Sequence, residues 1–287
     1  MRTPAAVAIL IALHATPVRA QATRVEPLSA APPALQQAIA RNESIAARMY
    51  SQDYAAAIAH DELATHIASG RDEYPRGWIT DDHDGGVTVL FVAERGRDYV
   101  AIYKVVTEDG RIAPDGYAKL DPPLPLSESQ QAQFRARRLA SGADVARCSS
   151  AYNTIVLPAY DRDDGSMHVY LIAATSVPGR MIFGGHYRFT ISKDGNSIQD
   201  HRAFTKTCLE MKSRPGGAAW ISHLLDANPT ELHVYLNLLH RRPIAVATME
   251  NKLIWYIEGG RVTGFNDLTE KPGEPRGSNH GAARPGS

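Results

Sequence analysis

Short apolar runs closed by turn residues limit this chain's fold more than any other feature. "VTVLFVAE" (87–94), "YVAIYKVVTE" (99–108), "NTIVLP", "MHVYLIAAT", "HYRFTIS", "HRAFT", "IAVAT" and "LIWYIEGGRV" are rich in β-branched and aromatic residues, which suit a pleated surface. Asp109-Gly110, Asp164-Gly165, Asp194-Gly195 and Glu250-Asn251 supply turns between some of them. Strand follows strand with few helices between, so the pairing should be antiparallel and the fold class α+β. A doubly wound parallel sheet would need a strand–helix alternation that the sequence lacks. Each sheet is expected to cover one face with helices and wet the other.

Helical spacing appears early. After Pro33, Leu35, Ala38, Ile39, Ile45 and Met49 recur on one face. "DYAAAIAHDELATHIA" continues this helix or starts a second. Ser127 caps "ESQQAQFRARRLA", Gln130 completes a capping box, and Gly142 ends the helix. "GGAAWISHLLDA" (216–227) reads as helical. "PTELHVYLNLLHRR" (229–242) opens like a helix after Asn228, yet its His-Val-Tyr-Leu also reads as strand, turn and strand, and strand is the expectation. The expected organisation is a helical segment, hairpin and helix over 32–145, with N-terminal helices packed on one face of mostly antiparallel sheet. A mostly β half over 146–264 shares a core with it. A polar tail over 265–287 has little to bury and should be disordered.

Residues 1–20 carry Arg2, the apolar run from Ala5 to Ala12, and an Ala-x-Ala exit, which is the pattern of a secretory signal peptide cleaved after Ala20 or Ala22. No later stretch is apolar for long enough to span a bilayer, and no cysteine sits at the cleavage site to take a lipid anchor. Export predicts that Cys148 and Cys208, the only cysteines, form a disulfide. Lys+Arg and Asp+Glu both number 31, with no basic stripe. That balance argues against nucleic acid as a partner.

Candidate chemistry gathers on three segments. His168, Tyr170 and Ile172 share one strand face, His186, Arg188, Thr190 and Ser192 another, and His233, Tyr235 and Asn237 a third. The candidate binding face is therefore His168, His186, Arg188, His233, Tyr235 and Asn237. His186 should open a polar strand face, with Gly184-Gly185 allowing a close backbone approach before it. If the strands are neighbours, His168, His186 and His233 could converge as zinc ligands. That is the alternative to the expectation of no metal and no cofactor. "DRDDG" and "DDHDGG" lack the order and the twelfth-position Glu of a calcium loop and read as turns.

The run from "NTIVLP" through "GGHYRFTISKDG" and "HRAFTKTC" to "PTELHVYL" and "RPIAVAT", roughly 150–260, resembles a group of secreted proteins of unknown function from Gram-negative bacteria. The resemblance implies a periplasmic location and assigns no catalytic residue. The expectation is an exported, periplasmic or secreted, non-enzymatic module. It would bind an envelope or extracellular ligand or support the envelope. A metal-dependent hydrolase using the histidine face is the competing reading.

Overall fold

The computed structural model describes residues 25–67, 73–175, 177–212 and 217–269. The expected signal peptide over 1–20 lies outside the described residues, as do residues 270–287 of the expected tail.

A two-residue strand, β1 (Glu26–Pro27), leads into one continuous 34-residue helix, α1 (Pro33–His66). The alanine-rich stretch is thus a single helix, about 51 Å long at the usual rise per residue. That length lets it serve two cores. Ile39, Ala46 and Met49 pack in the large core of the second half, while Ala55, Ala59 and Leu63 pack on the first sheet.

That first sheet is an antiparallel meander of β2 (Gly77–His83), β3 (Gly86–Arg95), β4 (Asp98–Glu108) and β5 (Arg111–Pro125). Asp109 and Gly110 turn β4 into β5, both at positive φ, as a tight hairpin turn requires. "DPPLP" forms the end of β5. α2 (Glu128–Ser141) follows with the expected capping box, Ser127 with Gln130.

The second half forms two larger sheets. The antiparallel order β10-β9-β7-β6 joins β6 (Ala151–Pro158), β7 (Met167–Ala174), β9 (Tyr187–Ile191) and β10 (Ile198–Ala203). The short pair β8 (Arg180–Ile182) and β11 (Glu210–Lys212) lies beside it in sequence. The last sheet, in the order β1-β15-β14-β13-β12, contains β12 (Ala219–His223), β13 (Ile244–Thr248), β14 (Leu253–Glu258) and β15 (Arg261–Asp267). β12 and β13 are parallel and joined by α3 (Glu231–His240). The fold class is α+β with mostly antiparallel sheet.

Four expectations are corrected. Residues 219–223 are strand, because Ala219, Ile221 and His223 alternate inward. Residues 231–240 are helix, because a parallel β12–β13 pair needs a crossover. Chain order continues past Gly264: β15 runs to Asp267, and Phe265 is buried against Trp255. Finally, the meander and the β6–β10 sheet do not wet one whole face. α1 covers one side of the meander, Phe134 of α2 packs into the other, and Ala132, Ala136 and Ala140 of α2 pack on the β6–β10 sheet.

α2 carries a buried cation between these layers. The Arg137 guanidinium donates through Nη1 to the Thr154 carbonyl and hydroxyl on β6 and lies 4.4 Å over the Trp78 ring on β2. Burial pulls it down to about 9, with the charge of Asp53 on α1 opposing that shift. Asp53 accepts from Tyr235 of α3 at 2.7 Å and from Asn153 of β6 at 3.2 Å. Burial raises Asp53 above the usual carboxylate range, against the pull of Tyr235, Arg137 and Asn153. Arg137→Ala would remove the compensating cation and should cost about 3–5 kcal/mol in a urea melt. Arg137→Met keeps packing over Trp78 and should cost less.

Cys148 and Cys208 are bonded, with their Cα atoms 5.4 Å apart. The bridge crosses Gly184 and Gly185. A Cβ on Gly185 would strike the Cys148 side chain, and one on Gly184 would strike the backbone at Thr207 and Leu209. The closed loop of 60 residues predicts that reduction lowers stability by about 4 kcal/mol. A thiol count on folded, unreduced protein should find none free.

Candidate functional site

The β6–β10 sheet brings two of the predicted segments together. In register, Tyr170 of β7 lies opposite Arg188 of β9, and Arg188 lies opposite Arg202 of β10. The third segment, α3, meets that face through Glu231 at its start. The polar row is therefore an interface between layers and not a solvated surface.

At the N-terminus of α3, Glu231 Oε1 accepts from Arg188 Nη1 at 3.1 Å, Tyr170 Oη at 3.2 Å and Tyr160 Oη at 3.3 Å. Tyr160 also contacts Arg188 Nη1 through its hydroxyl, and its ring lies 5.3 Å from the guanidinium. Burial works against the Arg188 charge, but Glu231, the two tyrosines and Asp161 outweigh it and raise Arg188 above its ordinary value. Burial and then the Glu231 charge raise both tyrosine hydroxyls. They are neutral donors.

A second acid neighbours this group in sequence. Asp226 accepts from Arg202 Nη2 at 2.8 Å and pairs with His223 Nε2 at 2.7 Å. Burial would raise Asp226, but His223 and Arg202 prevail and hold it at about 2. The His233 ring meets His223 edge to face at 4.6 Å.

The predicted residues divide by role. His186 is fully buried just before β9, not on a polar strand face. Its Nδ1 accepts from the Ala173 N–H at 3.1 Å, and its Nε2 faces the Ile182 carbonyl at 3.0 Å and donates to it. Both nitrogens are used, and the ring is a clamp between two backbone segments. His233 Nδ1 accepts from the Thr230 N–H at 3.0 Å at the start of α3. Tyr235 reaches α1 through Asp53, and Asn237 pins Arg242, Ile257 and Gly260. Only His168 and Arg188 share one site. Among the described residues, no three His, Cys, Asp or Glu side chains are grouped to hold a metal ion. His168, His186 and His233 therefore do not meet at one point.

His168 is different in kind. It is fully buried, and its Nε2 lies 3.0 Å from Asp161 Oδ1. That separation suits an ion pair, but neither ring nitrogen makes a hydrogen bond of acceptable geometry, and such bonds weaken steeply off axis. The ring of Tyr160 stands edge-on to it at 4.7 Å.

No protein-family model, no curated protein and no solved structure matches this chain.

A separate cleft of about 1150 Å³ lies between α2, the loop from Pro158 to Met167 and the β9–β10 turn. Its floor includes Ala132, Val156 and Met167, and its rim carries Arg162, Asp164 and Lys193. Reasoning from sequence missed this cleft, because its walls come from separated segments. It also missed Glu231, Asp226 and Arg202. The signal for Glu231 was present: as the first residue of a capped helix it sits two positions from His233.

Burial, first among the causes, lowers His168 and His186 to about 4 and His233 to about 3. All lie below the ~6.5 of an unfolded chain. The unfolded state therefore binds more protons below about pH 6.5, so stability is full above that pH and falls as the pH drops toward 4. The slope should be on the order of 1.4 kcal/mol per pH unit per histidine. Chemical denaturation at a series of pH values checks it, and His186→Gln should flatten the profile by one histidine's share.

Proposed function

We propose that this chain is an exported, non-enzymatic binding or envelope-support module whose ligand occupies the α2 cleft. The observation that carries this reading is the cleft's lining: an apolar floor beneath a rim of mixed charge, the composition of a small-molecule site. Two of its four lining hydroxyls are engaged within the protein, Ser166 donating to Gln199 at 3.0 Å and Ser192 to Asp194 at 2.5 Å. The disulfide and the leader-like sequence of residues 1–20 support export. Among the described residues, no helix is long and apolar enough to cross a membrane. The resemblance to secreted proteins of Gram-negative bacteria agrees with a periplasmic or extracellular location.

The mature chain recovered from periplasm or medium should begin after Ala20 or Ala22. Its amide spectrum, titrated with short-chain fatty acids, amino acids and sugars, should show saturable shifts confined to the cleft lining for at least one compound. Ser129→Trp, on the exposed rim, should abolish them. A spectrum indifferent to all three classes would remove the binding reading.

A further inference from the structure

We propose that the space held by the Asp161 carboxylate, between His168 and Arg188, is a carboxylate-recognition site that the chain's own Asp161 occupies in place of a ligand. The proposal goes beyond the cleft reading and does not depend on it.

The first observation is the buried ring of His168, which makes no proper hydrogen bond through either nitrogen. An unpartnered polar group in the interior is costly, and a structure retains one where something else completes it. The second is what His168 faces. Asp161 places Oδ1 3.0 Å from His168 Nε2 and Oδ2 3.9 Å from Arg188 Nη2. One carboxylate thus spans both groups, yet the first contact is off axis and the second exceeds hydrogen-bond length.

Asp161 is also the exposed member of the group, at 46% against 0% for His168 and 14% for Arg188. It enters from a surface turn, tethered by its own backbone. A free carboxylate has no such tether. It could take an Nη2–H of Arg188 and the Nε2–H of His168 with the short, charge-assisted geometry that suits a guanidinium. The rest of the wall is fixed. Tyr160 and Tyr170 donate to Glu231, and Glu231 holds Arg188 Nη1, leaving Nη2 aimed at the site.

Charge favours an anion over a cation. Among the described residues, the charged or titratable groups found around His168 are Tyr160, Asp161 and Arg162 of the β6–β7 connection, Tyr170 of β7 and Arg188 of β9, with Glu231 of α3 behind Arg188. With Asp161 turned out, Glu231 balances Arg188, Arg162 adds positive charge, and both tyrosines are neutral. The same connection, from Ala159 to Ser166, also forms part of the cleft wall.

Acetate is the probe. The full mature chain is titrated with acetate while the His168 ring nitrogens are followed by NMR, with chloride at equal ionic strength as the control. Asp161→Ala vacates the site and should bind acetate about tenfold more tightly than the wild type, the effect of removing an internal competitor worth about 1.4 kcal/mol. Arg188→Gln in the Asp161→Ala background should abolish the His168 response. Inorganic phosphate should bind more weakly than acetate; tighter phosphate binding would overturn the assignment to carboxylates. Equal acetate affinity in the wild type and Asp161→Ala would overturn the proposal. Asp161→Asn, which keeps the site filled, should gain less than Asp161→Ala; an equal or larger gain would count against occupancy by the side chain. Ser129→Trp should leave acetate affinity unchanged, which separates failure of this site from failure of the cleft reading.

Discussion

The buried Arg137 guanidinium is the interaction on which the layering depends. It sits on the helix that lies between the meander and the β6–β10 sheet, and each side offers it a different partner. Trp78 gives a ring face from the meander, and Thr154 gives two oxygens from the sheet. Its charge is answered by Asp53, whose carboxylate is in turn held by Tyr235 and Asn153. Five elements therefore share one polar junction. Such a junction contributes little net stability relative to an apolar one, but removing Arg137 or Asp53 leaves the other's buried charge uncompensated. It fixes how α1, α2 and α3 stand relative to the sheets, where apolar packing alone would tolerate sliding.

A second polar layer lies between the β6–β10 sheet and α3. Arg188 and Arg202 are cross-strand neighbours, and each meets an acid beside the start of that helix, Glu231 or Asp226. Pairing at both positions sets the height and rotation of α3 over the sheet. Most donors and acceptors here are satisfied within the layer. His168 is the departure, and its one close polar neighbour is a half-exposed side chain from a surface loop. The contrast between a closed network and one open position is what gives the loop from Ala159 to Ser166 its interest. That loop seals the open position on one side and shapes the cleft on the other.

The disulfide and the Gly-Gly pair form one local device. The cross-link passes so close to Gly185 that no side chain fits there, and the chain then turns His186 inward to clamp Ala173 and Ile182. The ring's two nitrogens tie β7 to the end of β8. A histidine spent in this way has no capacity left for a ligand or a metal, although its composition and position in the sequence resemble those of one that does.

Local signals in the sequence determined the α+β class, the meander hairpin, the capping box at Ser127, the Asp109-Gly110 turn and the pairing of the two cysteines. Each rests on residues adjacent in the chain, or on having only two cysteines to pair. Alternation along β9 also told correctly that Arg188 and Phe189 face opposite ways. It could not tell which face meets water, because period two reports a difference between faces and not the identity of what covers them. Only the tertiary structure decided that the polar face meets Glu231 at the start of α3, that 231–240 is the crossover helix demanded by a parallel pair, and that Tyr235 and Asn237 bond partners other than Arg188. His168 and Arg188 came together because β7 and β9 are neighbours. Tyr160, Asp161 and Glu231 joined them from a loop and a helix that no spacing in the chain connects, since side chains far apart in sequence meet only when packing sets strand order and helix placement.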